Sequence, residues 1–244
     1  MSLLKDITIL YEDKNMVVIN KPSGLIVHPD GKREEESVVD WVLKHYPKAE
    51  KVGEPLLLSN GGVMYRPGIV HRLDKETSGA LLVAKNQDTY LYLKQLFQDR
   101  DIAKQYHVFV YGTVKLDRGN IDRPIGKSKS DFRRWSAQRG ARGEMRESIT
   151  DFTVLTRGKD ATFLEARPRT GRTHQIRVHF KAINHPVVAD QLYAPNHAPL
   201  FGFKRLALHA YAVEFKTLEG ETMKIVAPYP KDFQKAVKEI EKPQ

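Results

Sequence analysis

A carboxylate flanked by potential cations stands out in the segment HRLDKETSGALLVAK, residues 71–85. Asp74 follows His71 and Arg72 within four positions and precedes a small polar turn and an apolar run. Such a carboxylate is either a salt-bridged structural group or a reactive one. A reactive carboxylate can be a covalent nucleophile at a sugar or base carbon, and a neighbouring arginine can keep it ionised and oriented.

A second group of candidate residues lies in RPRTGRTHQIRVHF, residues 167–180. A helix is predicted to begin near His174, and Thr173 is expected to cap it. Arg177 follows His174 by three positions, so both side chains are expected on one face at the helix start. Arg172 adds a cation in the preceding loop.

Several common kinds of catalytic site find no support in the sequence. His174, His179 and His185 are spaced by five and six residues, which is not the i, i+4 spacing that lets one helical face hold zinc. The chain has no cysteine, no G-x-S-x-G elbow, no Walker loop and no G-x-G-x-x-G fingerprint. What remains is Asp74, Tyr106 in the segment KQYHVFVYG and Arg177, which would act without metal or cofactor.

A strongly basic segment spans residues 123–146, RPIGKSKSDFRRWSAQRGARGEMR, with eight lysines or arginines against two acids. Because no periodicity indicates a regular element, the segment is predicted to be a long loop or an irregular hairpin. Guanidinium groups pair with phosphates, and aromatic rings offer bases a stacking surface. The interleaving of Phe132 and Trp135 with the charges therefore favours RNA contact over a solvated charge run. The predicted RNA-binding residues of the segment are Lys129, Arg133, Arg134 and Trp135.

The rest of the sequence indicates the elements that must position these residues. Alternating or β-branched runs predict strands at residues 6–10, 15–20, 79–85, 104–112, 148–155, 162–168, 205–215 and 223–229. Helices are predicted at 37–46, with Ser37 as cap, and at 87–98, 174–183 and 231–241, whereas 47–70 is predicted to be loop. Since strict strand–helix alternation is absent, an α+β fold with a mostly antiparallel or mixed central sheet is predicted.

Composition and charge restrict the class of protein and its partners. The chain has 40 Lys+Arg against 30 Asp+Glu, a formal charge of +10 and a pI near 9.6, which favour a polyanionic partner such as RNA or DNA. The sequence contains no run of about 18 apolar residues, so no membrane span is predicted. The N-terminal residues do not resemble a secretory signal, and the absence of cysteine excludes disulfides. A cytoplasmic protein is predicted.

Four segments, KPSGLIVHP, HRLDKETSGALLVAK, KQYHVFVYG and RPRTGRTHQIRVHF, resemble the successive motifs of the RluA-type family of RNA pseudouridine synthases. The resemblance implies a single catalytic domain over residues 1–244, with two halves around one cleft. It implies isomerisation of chosen uridines in rRNA or tRNA to pseudouridine, without cofactor or metal. Many relatives carry an extra N-terminal RNA-binding domain, which is not expected here, so RNA selection is expected to rest on the catalytic domain.

The resemblance also implies a role for each matching residue. Asp74 matches the catalytic aspartate, which acts either as a nucleophile or as the base that starts glycosidic cleavage. Tyr106 matches the active-site tyrosine, which stacks on the base and helps to remove the proton from carbon 5. Arg177 matches the basic residue that pairs with the aspartate. Arg72 matches the arginine that helps to displace the target nucleotide from its stack, and Arg172 is a further candidate for RNA binding.

The sequence departs from the family pattern in FKAINHPVVADQLYAP, residues 180–195. The family more often has glycine near Asn184 and at Ala189 and Ala194, and proline at Gln191, so local loop geometry and substrate preference are open. Two rival classes also stay open at this point: a catalytically silent RNA-binding protein of the same fold, and a different RNA-processing enzyme such as a nuclease. A monomer is the default expectation.

Overall fold

The computed structural model describes residues 2–29, 35–57, 61–129, 131–137 and 141–242. Within these ranges the chain forms four α-helices, fourteen strands and two short 3-10 turns, Leu4–Asp6 and Pro47–Ala49. It divides into two compact units. The first unit comprises residues 1–103 and 212–228, and the second comprises 104–211 and 229–244.

The first unit contains three consecutive antiparallel strands, β1 (Thr8–Glu12), β2 (Met16–Lys21) and β5 (Ser78–Ala84). β2 pairs with β5 in continuous register, from Met16 opposite Ala84 to Lys21 opposite Gly79. Every residue of β5 is buried, which explains why its sequence is an apolar run rather than an alternating pattern.

The other elements of the first unit are short strands and two helices. The ranges are β3 (Leu56–Leu57), β4 (Val63–Met64), β14 (Thr222–Val226), α1 (Val38–His45) and α2 (Gln87–Asp99). β14 pairs with the last residues of β13 (Leu208–Lys216). As predicted, Ser37 caps α1: its side chain accepts a hydrogen bond from the Asp40 N–H, and the Asp40 carboxylate accepts one from the Ser37 N–H.

The second unit is built on antiparallel strands in the order β6 (Ala103–Tyr111), β12 (Ala161–Pro168), β11 (Ile149–Arg157) and β7 (Arg118–Asp122). Two helices, α3 (Gln175–Ala182) and α4 (Lys231–Ile240), belong to the same unit. Its core is rich in aromatic side chains, among them the fully buried Phe109, Phe180, Phe203 and Phe233. Phe109 stacks on Phe163 with ring centroids 4.5 Å apart.

The basic segment contributes a separate three-stranded antiparallel sheet. The order is β10 (Arg142–Arg146), β8 (Ile125–Lys127) and β9 (Trp135–Ser136). Of the two predicted conformations, the described part of this segment takes the irregular hairpin.

The predicted α+β class is confirmed, and each predicted helix is present within one or two residues of its expected ends. Two local predictions were wrong. The stretch 47–70 holds β3, β4 and a 3-10 turn. Thr173 does not cap α3, because His174 is the N-cap residue, with φ of 56°, and the Gln175 side chain accepts the N–H of Arg172 instead. None of the helices in the described part has the length and apolarity needed to cross a bilayer.

Candidate active site

Asp74 lies on a turn that leads into β5, in the first unit. Its side chain is partly buried, whereas Arg72, two positions earlier, is exposed. The backbone N–H of Thr77 donates to the Asp74 carbonyl oxygen at 3.1 Å, which closes the turn. Thr77 and Ser78 are buried, so the carboxylate sits on a turn that is anchored directly to a buried strand.

A buried lysine holds this turn. Lys21, at the end of β2, has no exposed surface, and its Nζ donates to the carbonyl oxygens of Leu25 at 2.7 Å and Pro22 at 2.9 Å. It also donates to the carbonyl oxygen of Lys75, the residue after Asp74, at 3.1 Å. Because a buried ammonium group must be satisfied by hydrogen bonds, this cation ties KPSGL to the Asp74 turn.

Two further contacts join the same segments. The Ser23 hydroxyl donates to the Glu76 carbonyl oxygen at 2.7 Å, and the Gly24 N–H donates to the Lys75 carbonyl oxygen at 2.8 Å. Gly24 has φ of +90°, a left-handed conformation that a side chain would strain. The sequence did not predict that KPSGL supports the Asp74 turn. The feature that could have indicated it is Lys21, a charged residue at the end of an apolar strand.

His71 ties the motif to β5. Its Nε2 accepts a hydrogen bond from the backbone N–H of Leu82 at 2.9 Å, so this nitrogen carries no proton. The imidazole ring stacks on Phe97 with centroids 4.7 Å apart. These contacts support a role for His71 in positioning the loop.

Tyr106 lies on β6 in the second unit, opposite Ala166 of β12. Its side chain is partly buried, and the next residue, His107, is buried. The His107 ring stacks on Tyr211 with centroids 3.9 Å apart and is hydrogen-bonded to the Tyr229 hydroxyl. The strand is therefore anchored by His107, while Tyr106 keeps part of its surface accessible.

Arg177, on α3, is held by a carboxylate that sequence reasoning did not single out. Its Nε and Nη2 donate to Oδ2 and Oδ1 of Asp190 at 2.7 and 2.8 Å. The Asp190 side chain has no exposed surface, and its Oδ1 also accepts the N–H groups of Leu192 and Tyr193, both at 3.0 Å. This bidentate, buried pair fixes the guanidinium firmly. The expected pairing of Arg177 with Asp74 stays a prediction.

Tyr193 connects two of the predicted site residues, Arg177 and Trp135, with His174 at the start of α3. The Arg177 guanidinium lies 5.0 Å from the centre of the Tyr193 ring, a cation–π contact. The Tyr193 hydroxyl accepts the backbone N–H of Trp135 at 2.9 Å and lies 3.0 Å from Nδ1 of His174. The start of α3 and the basic hairpin thus meet at one tyrosine.

The loop that carries Arg172 is fixed by a buried glutamine. Gln175 Oε1 accepts the Arg172 N–H at 3.0 Å and the Thr170 hydroxyl at 2.7 Å. Gln175 Nε2 donates to the Thr150 hydroxyl oxygen at 3.0 Å. The Arg172 side chain donates from Nε to the Glu147 carbonyl oxygen at 3.1 Å, which orients it against β10 and β11.

The basic hairpin is anchored by an apolar cluster. Ile125 of β8 packs with Val178 and Tyr193, and Trp135 packs against them. Trp135 is therefore only partly exposed, which limits the ring surface that it can offer to a base. The anchoring distinguishes the described part of the segment from a solvated charge run.

The turn between β8 and β9 carries the exposed cations. Arg133 donates from Nε and Nη2 to Asp131 at 3.1 and 2.8 Å, and Arg134 Nε lies 3.3 Å from the same carboxylate. These contacts, chiefly the hydrogen bonds from Arg133, lower the pKa of Asp131 to about 2. Lys129 is exposed, and Phe132 is 90% exposed. Phe132, rather than Trp135, is therefore the aromatic ring of this turn that is exposed to solvent.

The predicted site residues fall into two groups. Arg72 and Asp74 share one turn of the first unit. The second unit holds Tyr106, Lys129, Arg133, Arg134, Trp135, Arg172 and Arg177. In the described ranges, no cluster of three or more His, Asp or Glu side chains could hold a metal ion.

Both groups lie within one family match. The profile described as RNA pseudouridylate synthase matches residues 15–182, which is more than half of the chain and contains every predicted site residue. The chain therefore belongs to the RNA pseudouridylate synthase family, whose members isomerise uridine in RNA to pseudouridine. Neither the silent RNA-binding alternative nor the nuclease alternative is supported by this match.

Individual relatives agree with the family match. The uncharacterized RNA pseudouridine synthase YlyB of Bacillus subtilis is 36% identical over 238 residues, which are 97% of this chain and 74% of that protein. The ribosomal large subunit pseudouridine synthase D of Zymomonas mobilis is 35% identical, over 93% of this chain and 70% of its own length. The structure of human RNA pseudouridylate synthase domain containing 4 superimposes with a TM-score of 0.73 at 25% identity, covering 97% of this chain and 94% of that one.

Proposed function

We propose that this RNA pseudouridine synthase modifies ribosomal RNA, with Asp74, Tyr106 and Arg177 as its catalytic residues. The observation that carries the proposal is the family match over residues 15–182, because it includes all three positions. The name of the Zymomonas mobilis relative refers to the large ribosomal subunit, which supports rRNA as the substrate. The proposal includes action in the cytoplasm, as a monomer, without metal or cofactor.

The proposed reaction relocates one bond of the uridine. The bond from ring nitrogen 1 to the sugar breaks, the base turns, and a bond from carbon 5 to the sugar forms. Carbon 5 loses its proton and nitrogen 1 gains one, so the reaction is redox-neutral. Asp74 starts the cleavage as nucleophile or as base, and Tyr106 stacks on the base and assists removal of the carbon 5 proton. Arg177, oriented by Asp190, stabilises the negative charge of Asp74.

The proposed RNA contacts supply the energy for extrusion of the nucleotide, which costs a few kcal/mol. Arg72 takes the place of the extruded uridine in the stack. Arg172 and the hairpin residues Lys129, Arg133 and Arg134 contact phosphates, and Trp135 offers the exposed part of its ring to a base. The exposure of Phe132 supports its addition to this group as a stacking residue.

Pseudouridine mapping by carbodiimide labelling tests the proposal. RNA from cells with and without the gene is compared, and the deletion strain is complemented with wild type or with Asp74→Asn. A site in rRNA that is lost in the deletion and restored only by wild type is the expected result. A site that changes in tRNA alone would overturn the rRNA substrate, and full restoration by Asp74→Asn would overturn the role of Asp74.

The purified protein provides the complementary test. Tritium release from uridine-labelled rRNA is expected with wild type and not with Asp74→Asn, although both bind RNA with similar affinity. Activity is expected to survive EDTA. Loss of activity in EDTA, with recovery on adding a divalent metal, would contradict the metal-free mechanism.

A further inference from the structure

Tyr193 lies inside the second unit, and only 3% of its surface is exposed. Its ring belongs to the apolar cluster of Ile125 and Val178. The side chain is thus covered by protein rather than open to RNA, and the proposed reaction assigns it no step. Its two ends, the hydroxyl and the ring, nevertheless contact two different groups of proposed functional residues.

The hydroxyl end of Tyr193 holds the basic hairpin. β9 pairs with β8 on one side, and the backbone N–H of Trp135 in β9 is donated to the Tyr193 hydroxyl oxygen at 2.9 Å. Trp135 directly follows Arg133 and Arg134, the cations proposed to contact phosphates. Because Tyr193 is 58 positions from Trp135 along the chain, this hydrogen bond ties the base of the exposed turn to a distant part of the unit.

The ring end of Tyr193 contacts the proposed catalytic arginine. The Arg177 guanidinium lies 5.0 Å from the ring centre, and a second cation, Lys181 Nζ, lies 5.7 Å from it. Asp190, which binds Arg177 through both carboxylate oxygens, also accepts the backbone N–H of Tyr193 at 3.0 Å. Since the Arg177 side chain is only 9% exposed, protein contacts such as these set its position.

We propose that Tyr193 is a positioning residue that joins RNA binding to catalysis: its hydroxyl fixes the hairpin, and its ring fixes Arg177. The inference rests on the proposed function, which gives the hairpin and Arg177 their roles. A hairpin that is docked in the free protein loses less conformational freedom when RNA binds, so the hydroxyl contributes to affinity. A guanidinium held in place before the reaction stabilises charge without reorganisation, so the ring contributes to turnover.

Two substitutions separate the two ends of the side chain. Tyr193→Phe keeps the ring, and it is expected to raise KM for uridine-labelled rRNA about fivefold, the factor for one neutral hydrogen bond, with kcat within about twofold of wild type. Tyr193→Leu also removes the ring and is expected to lower kcat about tenfold in addition. Tritium release measures both constants. The matched control is Tyr92→Phe on α2, which removes a hydroxyl that donates to the carbonyl oxygens of Lys216 and Thr217 and is expected to change neither constant.

Two further measurements report on the hairpin without turnover. The chain has two tryptophans, and Trp41 is 4% exposed, so iodide quenches mainly the fluorescence of Trp135. Tyr193→Phe is expected to increase this quenching in the free protein, because a released hairpin exposes more of the Trp135 ring. It is also expected to weaken binding of an oligouridine of about 16 nucleotides about fivefold. Tyr92→Phe is expected to match wild type in both measurements.

Several results would overturn the role of Tyr193. A fall in kcat with unchanged KM in Tyr193→Phe would show that the hydroxyl acts through His174 and α3 rather than through the hairpin. Unchanged KM and quenching in Tyr193→Phe, or equal kcat in Tyr193→Phe and Tyr193→Leu, would also contradict it. Tyr193→Phe keeps the apolar packing and therefore supplies the decisive result if Tyr193→Leu does not fold.

Failure of the proposed function gives a different pattern. A wild type that releases no tritium, together with weaker oligouridine binding and stronger quenching in Tyr193→Phe, would remove the proposed function and leave the hold of Tyr193 on the hairpin. Normal turnover by wild type with no effect of Tyr193→Phe would remove only the role of Tyr193.

Discussion

Buried charges hold the residues on which the proposed reaction depends. Lys21 in the first unit is satisfied by backbone carbonyl oxygens, and Arg177 in the second unit is satisfied by Asp190. A charge that leaves water is tolerated only when its hydrogen bonds are complete. Loss of one partner therefore costs more at these positions than at exposed ion pairs such as that of Lys75 with Glu35.

Lys21→Met is expected to lower the free energy of unfolding by about 3 kcal/mol, because it removes a buried cation and leaves the carbonyl oxygens of Pro22, Leu25 and Lys75 without this donor. Turnover is also expected to fall, since one of these carbonyls belongs to Lys75, next to Asp74. Denaturant unfolding and tritium release measure the two effects. Lys44→Met, at an exposed position of α1, is the control and is expected to change stability by less than about 0.5 kcal/mol. A Lys21→Met protein as stable as this control would contradict the prediction.

Ala189 departs from the family pattern at a position where the backbone favours glycine. Its φ is 56°, and Asn184, a second departure, has φ of 65°. Ala189→Gly is expected to stabilise the protein by about 1 kcal/mol, because alanine is strained in the left-handed region. The matched control is Ala166→Gly, in β12 and equally buried, which is expected to destabilise by about the same amount. Equal destabilisation by both substitutions in denaturant unfolding would refute the argument.

At the scale of elements, short-range patterns predicted most of the secondary structure. The helices have amphipathic spacing, α1 has a recognisable cap at Ser37, and β5 has a continuous apolar run. The cap of α3 was misjudged because the preceding loop is closed by a buried glutamine, Gln175, that hydrogen-bonds to β11. The sequence also did not indicate that Asp190 pairs with Arg177. The two residues are thirteen positions apart, and their side chains meet only because the loop between them folds back.

The basic hairpin provides a prediction at the same scale. Arg133→Gln together with Arg134→Gln is expected to weaken RNA binding and to lower the salt slope by up to about 1.4, the value for two single-strand phosphate contacts. The loss is expected to be smaller than for two free cations, because Asp131 already shares their charge. Filter binding at several salt concentrations measures both quantities. The control is Lys235→Gln with Lys238→Gln on α4, which removes the same charge from exposed positions, and an equal change in slope there would refute a specific hairpin contact.

At the scale of the whole molecule, two buried histidines make stability depend on pH. Burial lowers the pKa of His107 to about 4 and also lowers the pKa of His179. In His179, Nε2 donates to the Arg123 carbonyl oxygen at 3.0 Å and Nδ1 accepts from the Thr150 hydroxyl at 2.9 Å. Burial of this ring outweighs the bond to Arg123, which raises the pKa, and keeps the ring neutral. Both rings are packed inside the second unit, so their protonation opposes the folded state.

Glu165 could in principle oppose this effect, because its Oε2 lies 3.7 Å from Nε2 of His107. That separation is too long for a hydrogen bond. The same carboxylate is paired through Oε1 with Arg167 at 2.7 Å. Burial therefore dominates, and the pKa of His107 is lowered rather than raised.

The pH dependence follows from proton binding in the two states. An unfolded histidine titrates near pH 6.5, so between there and about pH 4 the unfolded chain binds a proton that folded His107 does not. The contribution of neutral His107 to the free energy of unfolding is fully present above pH 6.5. It falls by roughly 3 kcal/mol as the pH drops toward 4. Denaturant unfolding across this range measures the fall. His107→Gln is expected to remove most of it and the exposed His197→Gln none, so an identical pH profile in wild type and His107→Gln would show that other groups control acid unfolding.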